Sequence, residues 1–137
     1  ITIAETGHLV FGTLHTSNAA QTIDRIVDVF PGHQQDQVRQ QLAATMKAVV
    51  SQRLVPKIGG GRILAAEVMI ANSAIRNLIR EEKTHQIDNV IQTSSNVGMK
   101  LIETDLANLV QRGAVHKDDA RIRAFRTDYF DRLMGDV

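Results

Sequence analysis

Ala4-Glu-Thr-Gly-His-Leu-Val-Phe-Gly-Thr-Leu-His-Thr16 is the stretch on which the reading of this chain turns. From His8 to His15 it is short and nearly continuously apolar with a histidine at each end, the pattern of a buried, parallel-type strand covered on both faces. Thr16-Ser17-Asn18 follows as an N-cap cluster, and Ile23, Ile26, Val27 and Phe30 then recur at helical spacing until Pro31-Gly32. Strand, cap and helix in succession point to an α/β protein. A second amphipathic helix is predicted over Gln34 to Val50, with Val38, Leu42, Met46, Val49 and Val50 on its apolar side and glutamines and Arg39 opposite.

Downstream, Ser51 to Ile58 and Arg62 to Ile70 are extended-looking runs around Gly59-Gly60-Gly61. Glycine accepts the positive φ of a tight turn, so a hairpin is predicted, with Pro56 placing its first strand at an edge. From Ser73 the pattern is helical only, over Ala74–Glu82, His85–Gln92, Gly98–Arg112 and Lys117–Phe125. The expected organisation is 1–70 as a partial sheet with two helices and a hairpin, 71–125 as a helical subdomain, and 126–137 as a weakly patterned tail.

Composition narrows the function classes. With 137 residues, 43% of them hydrophobic, the chain can bury one core. Sixteen lysines and arginines against fifteen aspartates and glutamates leave no net field towards nucleic acid or acidic lipid. The absence of cysteine removes disulfides, thiolate metal sites and thiol nucleophiles. No apolar run approaches the ~20 residues of a membrane helix, so no membrane insertion is expected. The start at Ile1, with no basic leader or signal-type core, reads as entry partway into a longer protein.

Few residues carry chemistry on spacing alone. Gly59-Gly60-Gly61-Arg62 is not a phosphate loop, which needs Gly-x-x-x-x-Gly-Lys-Ser/Thr opening a helix, whereas here a strand follows. Glu67 inside an apolar strand reads as a paired or hydrated carboxylate at a sheet margin. His15, at the carboxyl end of the first strand, is better placed for a ligand than His8. On spacing alone both read as hydrogen-bonded structural residues, and with no third ligand nearby they make no metal site. In Ala74-Ile-Arg-Asn-Leu-Ile-Arg-Glu81 the apolar Ile75, Leu78 and Ile79 share one face, and Arg76 and Arg80, four apart, share another. That charged face is either solvated or a docking surface for an acidic partner.

Residues 4–16 closely resemble the histidine box of the secretion and pilus ATPase superfamily, whose members are hexameric motors with a RecA-like P-loop core. Ala74, Ile75, Arg76, Asn77, Leu78, Ile79, Arg80 and Glu81 match the retraction motif of its PilT-type pilus-retraction branch. Extension and secretion relatives tend to carry a tetracysteine zinc loop after the strand equivalent to Ser51 to Lys57, and the cysteine-free chain agrees with retraction. The resemblance, from Ile3 to about Arg123, implies the C-terminal portion of a RecA-like core followed by an all-helical end. In the full-length parent it implies ATP and Mg²⁺ as cofactors, with the Walker A and B elements upstream of Ile1. By themselves these 137 residues are expected to bind no cofactor and to turn over no ATP. The resemblance makes His15 the first choice for a γ-phosphate-sensing contact and His8 a supporting one.

The function so implied is ATP-driven type IV pilus retraction, the basis of twitching motility. The implied setting is cytoplasmic and peripheral at the inner membrane, in a homo-hexamer with an inner-membrane pilus platform protein as partner and no nucleic acid. An extension or type II secretion ATPase is the rival within the superfamily, and a non-catalytic binding module the rival from another class.

Overall fold

The computed structural model describes residues 1–135. A single turn, α1 (Thr2–Glu5), precedes a segment without regular structure, and then the order is α2 (Ala19–Asp28), α3 (Gly32–Thr45), β1 (Ala48–Pro56) and β2 (Arg62–Ile70). Helices α4 (Ser73–Arg80), α5 (Ile87–Thr93), α6 (Ile102–Gln111), α7 (Lys117–Arg123) and α8 (Thr127–Leu133) complete the chain. Asp136 and Val137, the last two residues of the expected tail, lie outside the described residues.

β1 and β2 pair antiparallel, Ala48 opposite Ile70 through Pro56 opposite Arg62. The turn works as the glycine run predicts: Gly59, Gly60 and Gly61 have φ of 88°, 108° and 77°, and the Lys57 N–H donates to Gly61 O at 3.0 Å. Lys100 extends β2 by one bridge, its N–H donating to Val68 O at 3.1 Å and its carbonyl accepting from Val68 N–H at 2.9 Å. The pleat divides the hairpin. Val55, Ala65, Glu67 and Met69 are buried towards the helices, whereas Val50, Leu54, Leu64 and Ile70 remain exposed.

Two apolar clusters form on the helix side. The first joins Ile23 and Val27 of α2, Val38 and Leu42 of α3, Met69, Ile75 and Ile79 of α4, and Ile87 and Ile91 of α5. The second joins Val55 and Ala65 to Ile102 and Leu106 of α6, Ala120 of α7 and Phe130 of α8. Burial of large aliphatic and aromatic side chains at about 1.5–3 kcal/mol each dominates both.

Three expectations need correction. Residues 8–15 form no strand and are exposed throughout. A strand needs a neighbour to take its N–H and C=O groups, the hairpin strands pair with each other and at one bridge with Lys100, and no backbone–backbone bond among the described residues involves 8–16. The helix predicted over Gln34 to Val50 ends at Thr45, and Val49 and Val50 belong to β1. β-branched residues favour the pleat over the helix, and pairing with Met69 and Val68 decides the matter. Finally, Arg39 is buried in α3 rather than on a polar face, its Nη2 donating to Glu82 Oε1 at 2.8 Å.

Candidate functional site

The two box histidines stand apart. His8 and His15 are both exposed, and His8 Nδ1 lies 2.9 Å from Thr6 Oγ1. Leu9 and Phe11 between them are 73% and 89% exposed. Order resumes immediately after His15: Thr16 Oγ1 lies 2.6 Å from Thr22 Oγ1, and the Ser17 N–H donates to Gln21 Oε1 at 2.7 Å. Asn18, buried, caps α2 by accepting the Gln21 N–H at 2.8 Å, as the Thr-Ser-Asn cluster predicts. A bound phosphate needs several N–H groups aimed at one point. Residues 8–15 present an exposed ribbon instead, which forms no such cradle.

Along 74–81, α4 sorts the side chains by depth. Ile75 and Ile79 are fully buried, Leu78 is half-buried, and Ala74, Asn77, Arg80 and Glu81 are exposed. Asn72 sets the start of the helix, its Oδ1 accepting the Ile75 N–H at 3.0 Å. The two arginines do not share one environment. Arg76 is half-buried, and its guanidinium donates to the carbonyls of Ala43, of Ala44 at 3.0 Å and of Met46 at 2.9 Å. Those are orphan acceptors at the C-terminus of α3, where a cation also complements the helix dipole. Arg80 is exposed and donates to Asn77 Oδ1 at 2.9 Å. Arg76 is thus engaged by the end of α3 rather than free to dock, and Arg80 carries what remains of the open charged face.

A buried charge cluster lies behind these segments. Glu67 and Glu103 are both 0% exposed. Glu67 Oε1 accepts the Ala19 N–H at the start of α2 at 2.8 Å, and Oε2 accepts the Ile102 N–H at the start of α6 at 3.4 Å. Glu103 Oε1 accepts the backbone N–H groups of Phe125 and Arg126 at 2.8 and 2.7 Å. The Arg126 guanidinium stands among three carboxylates: Glu103 at 2.9 Å, Asp88 at 2.8 Å through Nε, and Glu67 at 3.5 Å. Burial pushes the Glu67 carboxyl above its usual range, against the lowering by the Ala19 N–H and Arg126. Burial works to lower Arg126, but Asp88, Glu103 and Glu67 together hold it charged. Glu67 is therefore paired, as its sequence context predicts, though in the core rather than at a sheet margin. Arg126 is missed by sequence reasoning, because it falls in the weakly patterned tail; an arginine just before the Tyr129-Phe130 pair was the available signal.

Comparison with known proteins places this geometry. Residues 1–60 match the family described as Type II/IV secretion system protein. The Type IV pilus retractation ATPase PilT of Pseudomonas aeruginosa is 52% identical over 124 residues, which are 90% of this chain and 36% of that protein. A twitching motility protein of Neisseria gonorrhoeae is 50% identical over 125 residues, 90% of this chain and 33% of that protein. Among solved structures, the pilus retraction motor PilT with bound ADP superposes with a TM-score of 0.82 at 46% identity, covering 91% of this chain and 35% of that one. The chain spans about a third of the length of the relatives it matches. Over that span the fold is that of part of such an ATPase, and the chain is a homologue of the PilT-type pilus-retraction ATPases.

Proposed function

We propose that this chain works as part of an ATP-hydrolysing motor that retracts a type IV pilus. The observation that carries the reading is the 52% identity to the pilus-retraction ATPase of Pseudomonas aeruginosa across nine-tenths of the chain. The match of 74–81 to the retraction motif supports the branch, with Arg80 as its exposed charge. A phosphate-holding loop is absent from this sequence, so hydrolysis requires a segment that supplies one together with Mg²⁺. ATP and Mg²⁺ together supply the transferable phosphoryl group and its charge neutralisation.

The placement of this chain's own residues supports the roles proposed for them. His15 lies one residue before Thr16, whose hydroxyl contacts Thr22 of α2, and is free to turn its imidazole to an oxygen brought against the exposed ribbon. An imidazole N–H donates to a phosphate oxygen when one is present and re-pairs with water when it leaves, so His15 reports phosphate state, with His8 in support. Residues 1–70 act as the remainder of the RecA-like core, 71–125 as the helical subdomain that carries the retraction face, and 126–137 as the tail. The working assembly is a homo-hexamer on the cytoplasmic side of the inner membrane, acting on a pilus platform protein there. No helix among the described residues is long and apolar enough to cross a membrane.

ATP turnover and pilus retraction by the whole protein, wild type against His15→Ala, test the reading. His15→Ala is expected to lower turnover with little change in nucleotide affinity, since a contact made mainly to the γ-phosphate matters after binding. Equal turnover returns His15 to a structural residue.

A further inference from the structure

The exposed ribbon 8–15 is tied to the body of the protein at both ends: before it, Gln41 Nε2 of α3 donates to Glu5 Oε2 at 3.0 Å, and after it, at the start of α2, the bonds are of two kinds. The contacts of Thr16, Ser17 and Asn18 reach no further than Thr22, so they shape the first turn of α2 without saying where that turn sits. The exception is the Ala19 N–H, which donates to Glu67 Oε1, a residue 48 positions away and wholly buried. A buried carboxylate receiving a helix-start N–H makes a charge-assisted bond, among the stronger and more directional polar contacts available.

Glu67 is itself held from the other side. Its second oxygen faces the start of α6 and the Arg126 guanidinium. Arg126 in turn is fixed by Asp88 on α5 and by Glu103 on α6, while Glu103 also grips the backbone where α7 passes into α8. Two carboxylates with no exposure require such a partner, because a buried charge without one is strongly unfavourable. We propose that Glu67 is the positioning residue of the histidine segment, setting the place of His15 through Ala19, and that Arg126 fixes Glu67 from the helical end. This rests on the reading of His15 given above, and it adds a polar route by which a shift of α6 or α8 reaches the histidine.

The full-length protein tests it in two arms. In the first, amide hydrogen exchange is followed without nucleotide. Glu67→Gln replaces a charged acceptor by a neutral one and is expected to speed exchange at Ala19 by about tenfold while leaving α3 amides unchanged; Arg126→Met is expected to give the same pattern more weakly. Acceleration spread evenly over the molecule, or none at Ala19, overturns the proposal. In the second arm, turnover is measured for Glu67→Gln, His15→Ala and the double variant. If Glu67 acts through His15, Glu67→Gln lowers turnover in the wild-type background and has no further effect once His15 is alanine. Independent, multiplying losses overturn the positioning role and leave the role of His15 standing. An unchanged turnover in His15→Ala instead removes the functional reading, while the exchange arm still judges the anchoring. Should Glu67→Gln fail to fold, Glu67→Asp, which keeps the charge and shortens the reach, must give the same two results.

Discussion

At the scale of single residues, the retraction motif separates into side chains that hold the fold and side chains that are free. Arg76 donates to three carbonyls at the end of α3. Arg76→Ala leaves those acceptors without a partner and is expected to cost about 1–3 kcal/mol in urea unfolding. Arg80→Ala removes an exposed charge with one local contact and is expected to leave the melt unchanged while abolishing retraction. A melt equally depressed in both variants would show that the two arginines are not divided in this way. Sequence periodicity put both on one polar face, since spacing of four reveals a shared side of the helix but not the α3 terminus lying against half of it.

Glu67 carries a pH signature of its own. Burial raises its folded pKa above the ordinary 4.5, so between those two values the folded state binds more protons than the unfolded one. Its contribution to stability therefore falls as pH rises through that window. Unfolding free energies measured from about pH 4 upward are expected to show the advantage of wild type over Glu67→Gln shrinking as pH rises; an advantage that grows would mean the carboxyl is held low.

At the scale of elements, the legible parts were those whose signal is local. The Asn18 cap, the triple-glycine turn and the apolar faces of α2 and α4 follow from neighbours a few residues apart. What was not legible depends on distant partners. Residues 8–15 have the composition of a buried strand, yet a strand is defined by what pairs with it, and nothing in these 135 residues does. Val49 and Val50 continue the apolar rhythm of α3 but are claimed by β2. Helix α8 carries no legible periodicity, because only Phe130 of its seven residues is fully buried, too few to make a period. That single side chain closes the second cluster, so Phe130→Ala is expected to cost about 3–5 kcal/mol in thermal or urea unfolding. A loss within about 0.5 kcal/mol, the range of ordinary surface substitutions, would mean that α8 packs only loosely.

At the scale of the whole molecule, the exposed apolar surface is concentrated in the 9–14 ribbon and the outer face of the hairpin. Leu9, Val10 and Phe11 are consecutive and, with Leu14, have little polar cover, and their backbone groups are unpaired, which is the condition for strand-to-strand association. These 137 residues alone are expected to self-associate in sedimentation velocity, and a charge at Phe11 (Phe11→Asp) to reduce it; a concentration-independent monomer would contradict this. The proposed function has this same ribbon carry His15 to a phosphate, and the helical end carry Arg80 to a partner, in the whole protein. The direct test of that account is pilus retraction in cells lacking the native gene and complemented with the whole protein, as wild type, His15→Ala or Arg80→Ala. Wild type is predicted to restore retraction, and each variant to accumulate but fail to restore it. Restored pilus assembly or secretion without retraction, or full retraction by both variants, would contradict it.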